Sequence, residues 1–522
     1  MAETAVIAGE NKNISPWIVM IPVMLTIFMF ALDETISNVA LPYMAGTFSI
    51  SHNESTWIIT SYLVASGIVI PTVDFFSKLM GRKAYFLLSV AIFTMASVLC
   101  GLATSMPMML LGRILQGIGG GGIMPIGQAI IFEIFPKEIL SKAMAVFGLG
   151  VVLAPIMGPA LGGWITENWS WPFIYFINLP FGIIAFLLIK KLIYNPPYAK
   201  KQKNVTMDYK GFFFLAVWLL TLQIVLDKGN DADWFGAAWI CKTFAISMMS
   251  FIAFVVVQIK NPKSLVDLSV LKNGNFLFGT VASIVLMGVM MASSAILPSM
   301  LQNLMGYTSF LSGLSMVPRG AGCMLASILT GLLTTRFGEK TMIIAGLIIL
   351  SIGGLLFGEI NTHIALANIA IPNFLFGLGM VMAMVPMISL SCSTLHNEQQ
   401  TNAAGVQNLL KNIGAAIGTS ISTTMISRFS QAHQHMMVEH LNFDNPAYMS
   451  KLDSLSGTFE SLVDSNTAEY MGQYQIYHEL LQQSTLWGYV ETFRYFAIAT
   501  IAVIPLVLLI KGIKRNNAEN KQ

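Results

Sequence analysis

Long apolar runs separated by short polar and basic stretches set the pattern of this chain. Trp17 to Ala31 holds no charged residue, and comparable runs recur almost to the C-terminal end. An apolar stretch of about 18 residues or more is long enough to cross a bilayer as a helix. The pattern predicts fourteen spans, near 17–42, 55–76, 84–104, 107–133, 142–166, 172–190, 211–227, 237–259, 275–299, 309–333, 341–359, 366–393, 402–427 and 490–511. Ser15 and Pro16 suit the cap and first turn of the first span. An even number of spans places both termini on one side.

Composition strengthens this reading. Of 522 residues, 55% are apolar and only 11% charged, where a soluble domain carries roughly a quarter charged. The predicted fold class is therefore an all-α integral membrane protein. The basic residues orient it. Loops on the N-terminal side hold Lys78, Arg82 and Lys83, then Lys137 and Lys142, a cluster from Lys190 to Lys210, then Lys260, Lys263 and Lys272. Arg336, Lys340 and a tail with Lys511, Lys514, Arg515 and Lys521 continue the series, against Lys228, Lys242, Arg428, Lys451 and Arg494 on the other side. Cytoplasmic loops retain positive charge, so both termini are expected inside. Met1 to Ser15 lacks a basic stretch followed by an apolar core, and no cleaved leader is expected. Cys100, Cys241, Cys323 and Cys392 sit singly in apolar segments, which predicts neither a disulfide framework nor a metal cluster.

The chain also echoes itself. "KLMGRK" (Lys78 to Lys83) follows the second span and "TRFGEK" (Thr335 to Lys340) the tenth, aligning Gly81 with Gly338 and Lys83 with Lys340. Two homologous six-helix bundles with two helices inserted between them produce this offset. The expected organisation is a cytoplasmic N-terminus 1–16, a first bundle 17–190, a basic loop 191–210 and inserted helices 211–259. Helices nine to thirteen follow at 275–427, then an outer loop 428–489, a last helix 490–511 and a tail 512–522.

Charges well inside spans are few: Asp33, Glu34, Asp74, Arg113, Arg319, Lys411 and Glu133. Each costs a few kcal/mol at mid-membrane unless paired or hydrated. Asp33 lies roughly 24 Å along its helix from Trp17, at 1.5 Å per residue, past the middle of an apolar core about 30 Å thick. Neighbours on a helix diverge by about 100°, so Asp33 shares a face with Ser37 and Glu34 with Asn38. Span four reads "GRILQGIGGGGIMPIGQ", placing Arg113 and Gln116 on one face, with Gly117 and Gly121 open to close packing. Two readings stay open for Asp33 and Arg113: a static ion pair, or a carboxylate set for proton exchange by a fixed cation. Span five repeats small residues every fourth position, Gly150, Ala154, Gly158 and Gly162, with Gly163, Pro155 and Pro159 alongside. That stripe suits close packing against a helix of the other bundle, and the prolines should bend the helix. Arg319 and Lys411 are read as structural, snorkelling to the outer and cytoplasmic surfaces. By location, Tyr62, Gln116, Gln128, Asn38 and Asn373 are candidates for a substrate cavity. In the outer loop Tyr470, Tyr474, Tyr477 and Leu481 form a helical stripe, suited to a partner helix or to the protein's own outer face.

Other chemistries find little support. "HELLQ" at His478 has Gln482 where a zinc-protease motif needs a second His, His433 and His435 form a bare pair, and no Gly-Lys-Ser/Thr phosphate loop occurs. Neither an enzyme nor an ATP-driven pump is expected, nor a cofactor, a metal or a nucleic-acid partner.

Together these stretches resemble the fourteen-span drug:proton antiporters of the major facilitator superfamily. "LDETISNVALP" is similar to the first-span signature, through Asp33, Asn38 and Pro42. "WIITSYL", "RILQGIGGG" and "GPALGGWI" with Pro155 match the second-, fourth- and fifth-span patterns, and "WSWPFIYFINLPFG", "LQIVLDKG" and "LPSMLQNLMGY" are similar too. The likeness runs from Pro16 to about Ile510. One motif departs: where the loop after the second span usually reads GxLxDxxGRR, Asp74 takes the Gly place and Lys78 the Asp place, ahead of Gly81, Arg82 and Lys83. A charge lock that depends on the missing Asp is in doubt. "HLNFDNPAY" in the long outer loop resembles EmrB-type export subunits. The resemblance implies the major facilitator fold and proton-driven export of hydrophobic or amphiphilic drugs, with Asp33, Arg113 and Glu34 in the coupling. It also implies a periplasmic adaptor and an outer-membrane channel as partners, in the inner membrane of a Gram-negative bacterium. A dedicated exporter of one metabolite or siderophore is the alternative.

Overall fold

A computed structural model describes residues 15–135, 137–194, 207–261, 268–361, 364–395 and 397–510. Among them every regular element is helical. The first third comprises α1 (Pro16–Ile36), α2 (Leu41–Phe48), α3 (His52–Ser55), α4 (Trp57–Val69), α5 (Val73–Met80), α6 (Arg82–Gly101), α7 (Met106–Gly120), α8 (Ile123–Ile134), α9 (Lys137–Asn168), α10 (Phe173–Phe176) and α11 (Asn178–Leu192). Then come α12 (Tyr209–Lys228), α13 (Ala238–Lys260), α14 (Gly274–Asn303), α15 (Ser309–Leu314), α16 (Val317–Phe337), α17 (Glu339–Phe357) and α18 (Leu366–Cys392). The chain finishes with α19 (Asn397–Val438), α20 (Pro446–Phe459), α21 (Ser465–Ala502) and α22 (Ile504–Leu509).

Eleven stretches among the described residues are long and apolar enough to cross a membrane. The other three predicted segments fall on a shorter apolar helix, Trp57–Thr72, and on α9 and α19, 32 and 42 residues long. Proline explains the breaks within spans. Pro42 has no N–H for the carbonyl of Asn38, and Pro71 none for Gly67. The backbone tightens to 3-10 turns at Ser37–Ala40 and Ile70–Thr72.

Buried apolar side chains gather into two main cores. One runs from Met20 to Ile193 and the other from Ala282 to Ile510, so each bundle is built around its own interior. The bundles repeat one plan. The pairs α1–α9, α4–α7 and α6–α11 correspond to α14–α19, α16–α18 and α17–α21. Gly81 and Gly338 both adopt positive φ, 87° and 84°, a conformation that side chains disfavour. Lys83 Nζ donates to the carbonyl of Lys190 at 2.7 Å and Lys340 Nζ to that of Leu508 at 3.4 Å, so each lysine ties its helix to the final span of its own bundle. Between the bundles, α12 is held from both sides. Asp227 accepts from Thr60 of α4, and Ser420 of α19 donates to the carbonyl of Leu226.

One expectation needs correction. The small-residue stripe of α9 does not face the other bundle. A Cβ on Gly158 would lie 3.0 Å from Ile36 N, and one on Gly162 2.7 Å from Ile36 O, so these glycines let α9 lie directly on α1. Gly150 faces Met24 of the same helix, and Ala154 and Gly163 are buried nearby. The other bundle meets the edge beside the stripe: a Cβ on Gly313 would come within 2.5 Å of Ala160 Cα, next to Pro159. Glu167 then accepts from the backbone N–H of Phe310 at 2.8 Å, joining the bundles on the face opposite Pro16, called the outer face from here on.

The segment 428–489 consists of helices joined at 439–445 and 460–464. From Thr419 to Val438 there is no Gly or Pro, and α19 therefore continues past its apolar part. Asp464 caps α21, its carboxylate accepting from Thr467 N, and α21 runs 38 residues back into the apolar core.

Candidate functional site

Asp33 is 0% exposed, as are Arg113 and Gln116. Their positions follow from glycine. At Gly117 a Cβ would stand 2.5 Å from the carbonyl of Tyr62, so α7 lies against α4 with no side chain between them. That contact aims Arg113 across α4 toward α1. Its Nη1 donates to Asp33 Oδ2 at 2.6 Å and to Gln116 Oε1 at 2.7 Å, while Nε donates to the carbonyl of Ile58 at 2.9 Å. The Tyr62 ring lies 4.3 Å from the guanidinium carbon, a cation–π contact.

The other carboxylate oxygen accepts two amides, Gln116 Nε2 and Asn178 Nδ2, both at 2.8 Å. The same two nitrogens donate to Ser97 Oγ, at 2.8 and 3.2 Å. Every group on Asp33 is therefore a donor. The ion pair is excluded from water and the carboxylate's own hydrogen bonds are complete, Arg113 Nη2 alone being left unbonded, so the buried charge is paired and largely satisfied. A proton arriving at Asp33 must displace one of three donors.

Asn178, Ser97 and Tyr175 were not singled out in the sequence. Tyr175 joins through its ring, 5.7 Å from the Arg113 guanidinium carbon, and its hydroxyl accepts from Ser37 at 3.2 Å. The available signal was a lone amide inside the apolar run "FINLPFG". The expected cavity residues divide. Tyr62, Gln116 and Asn373 are each 0% exposed, locked inside their own bundles rather than on an open wall, because each packs on or bonds to a buried arginine. Asn38, Gln128 and Glu34 are half-buried, and among the described residues Glu34 makes no hydrogen bond to the cluster around Asp33.

Arg319 corrects its reading. It does not reach outer water: it is 4% exposed and its Nε donates to Asn373 Oδ1 at 3.0 Å. Gly377 of α18 packs on the Arg319 backbone, which draws the guanidinium inward. Lys411 is half-buried. In the loop motif, Arg82 pairs with Glu133 and Lys83 with the Lys190 carbonyl. The side chains of Asp74 and Pro155 lie outside the described residues. Tyr470, Tyr474 and Tyr477 are exposed at 73%, 70% and 42%, whereas Leu481 is half-buried. The opposite face of α21, with Ala468, Gly472, Ile476 and Leu480, is the one that packs inward. His433 bonds to Glu491 at 2.8 Å, and His478 lies against Tyr474.

Paired helical bundles with a charge pair buried in one of them are an arrangement found in membrane transporters. Residues 23–419 match the Major Facilitator Superfamily, and the chain belongs to that superfamily as a multi-pass integral membrane protein. It is 31% identical over 506 residues to the "Probable multidrug resistance protein EmrY" of Escherichia coli (strain K12), covering 95% of each chain. It is 30% identical over 497 residues to the "Fatty acid resistance protein FarB" of Neisseria gonorrhoeae, covering 93% of this chain and 94% of that one. Among solved structures it shares the fold of a bacterial homologue of the human lysosomal transporter Spinster, inward-facing and occupied, with a TM-score of 0.56 at 15% identity over 94% and 96% of the chains. The family and the shared fold make this a transporter rather than an enzyme.

Proposed function

We propose that the protein is a proton-coupled antiporter that exports hydrophobic or amphiphilic toxic compounds across a bacterial inner membrane. The observation that carries this reading is the Asp33 site, one carboxylate held dry by a fixed guanidinium and two amides. In the proposed cycle Asp33 takes a proton from outside, releases Arg113, and gives the proton up inside as the pair re-forms. Drug and proton then favour opposite conformations of the two bundles. One charge moving inward contributes about 2.3 kcal/mol per 100 mV of membrane potential.

A groove of ≈ 450 Å³ supports an apolar cargo. It is lined by Trp17, Met20, Ile21, Met24, Leu25, Phe28, Val146 and Gly150, between the first turns of α1 and the middle of α9. Methionine's flexible thioether adapts to varied shapes, which suits a broad substrate range. The topology proposed is fourteen spans with both termini cytoplasmic, α4–α5, α9 and α19 supplying the three beyond the eleven apolar stretches. The exposed tyrosines of α21 are the proposed contact for a periplasmic adaptor, which would join the pump to an outer-membrane channel. In the same reading Gly81, Arg82 and Lys83 shape the cytoplasmic loop.

The test is dye efflux from proteoliposomes under an imposed proton gradient, comparing the parent with Asp33→Asn. The parent should drive dye against its gradient and the variant only equilibrate it. Uphill transport by the variant would show that coupling lies elsewhere.

A further inference from the structure

The second bundle holds a buried arginine of its own, without an acid. "GRILQGIG" (Gly112 to Gly119) on α7 aligns with "PNFLFGLG" (Pro372 to Gly379) on α18, so Asn373 stands at the place of Arg113 and Gly377 at that of Gly117. Gly117 packs on the backbone of Tyr62 and Gly377 on that of Arg319, which puts Arg319 at the place of Tyr62. The counterpart of α1 is α14, and it brings Ser293 and Ser294 where α1 brings Asp33. The guanidinium has changed helix and the carboxylate has become two hydroxyls.

The donors can be counted. Arg319 Nε donates to Asn373 Oδ1 at 3.0 Å, and Nη1 donates to Ser293 Oγ and Ser294 Oγ, both at 3.2 Å. Nη2 is buried and has no hydrogen-bond partner among the described residues. Arg113 Nη2 is likewise unbonded, but the charge of Arg113 is matched by Asp33. No carboxylate pairs with Arg319 among the described residues, and α14, α16 and α18 contain no Asp or Glu. A guanidinium cannot shed its proton to escape the cost of burial. Neutral hydroxyls and an amide satisfy only part of it, and the Phe376 ring 4.9 Å from its carbon adds a weak attraction. The arrangement is a cationic donor site completed by an anion from elsewhere.

We propose that Arg319 binds the carboxylate of an anionic amphiphilic substrate, through its two free Nη2 protons, with Asn373, Ser293 and Ser294 positioning the guanidinium. The surroundings choose an anion attached to an apolar body. Phe376, Leu297 and Met316 belong to the dry core of this bundle, which disfavours a small, strongly hydrated ion. Arg319 is 4% exposed, so binding requires movement of α16 against α14. This inference rests on the export reading above and names anionic amphiphiles as a substrate class within it.

The experiment uses the full chain in lipid nanodiscs, with radiolabelled dodecanoate and dodecyltrimethylammonium as probes of equal chain length. Arg319→Gln should weaken dodecanoate binding by about tenfold or more, the loss of a charge-assisted hydrogen bond, and leave the cation's affinity unchanged. Asn373→Asp is the second variant. It keeps Arg319 and puts a carboxylate where Oδ1 already sits 3.0 Å from Nε, so it should block dodecanoate from within. Equal loss of both probes in Arg319→Gln would overturn the proposal, as would undiminished dodecanoate binding in folded Asn373→Asp. Competition by acetate at the same concentration as by dodecanoate would overturn the amphiphile and leave a small-anion site. Failure of Asp33→Asn to lose uphill transport would sink the coupling scheme without touching this binding result.

Discussion

Removing the charge of Asp33 should cost more than removing that of Arg113, and removing both should cost less than the sum. The asymmetry follows from the partners. In Asp33→Asn the guanidinium keeps the Ile58 carbonyl, Gln116 Oε1 and the Tyr62 ring but loses its counter-ion, and it cannot neutralise itself. The new amide also conflicts with its site. One side of residue 33 faces Arg113 Nη1 and the other faces Gln116 and Asn178, all donors, so its NH2 meets an N–H whichever way it turns. In Arg113→Met the carboxylate retains two amide donors and is free to take up a proton. Breaking a buried pair from one side costs about 3–5 kcal/mol; Asp33→Asn belongs near the top of that range and Arg113→Met near or below the bottom. In the double variant Gln116 and Asn178 still hold Ser97, so the coupling should be about 2 kcal/mol or more in favour of the pair. Equilibrium unfolding of the four proteins in mixed micelles measures this. Additive losses, or Arg113→Met as the costlier single change, would refute the account of the site.

Other expectations are simpler. Asn178→Leu, at a residue that sequence reading overlooked, removes one of three donors on Asp33 and should lower stability by about 1.5–3 kcal/mol; an unchanged unfolding midpoint would contradict the network. Gly313→Val forces a side chain against Ala160 and should separate the bundles at the outer face, seen as longer spin-label distances there, whereas Gly331→Ala, with nothing within 4 Å, should leave them unchanged. The exposed Glu54 carboxyl, which accepts from the backbone N–H and hydroxyl of Ser51, is held below its ordinary range. Its capping box is therefore fully formed above that range and lost as pH falls through the lowered value, and an ordinary glutamate titration by NMR would disprove it. The Arg82–Glu133 pair is only 17% and 18% exposed yet borders water, so its double-mutant coupling should stay within about 1 kcal/mol.

How much was legible in the sequence depended on range. The length and apolarity of each run determined the helices, because a chain in lipid must satisfy its own backbone. The echo of Gly81 and Lys83 in Gly338 and Lys340 disclosed the repeat, and the cost of a charge at mid-membrane pointed to Asp33 and Arg113 before any contact was seen. Partners were another matter. Periodicity placed Gly150, Ala154, Gly158 and Gly162 on one face, but only packing decided that this face lies on α1 and that the neighbouring edge meets the other bundle. Likewise, Asn178 is an unremarkable polar residue until α11 brings it to a carboxylate 145 residues away, and Ser97 until α6 sets it against the Gln116 amide 19 residues away. Arg319 shows the same limit: its sequence permits a side chain reaching for water, and the close approach of α16 to α18 at Gly377 turns it inward instead. A single sequence records what each residue can do alone; which groups share a buried charge is decided by distances between helices.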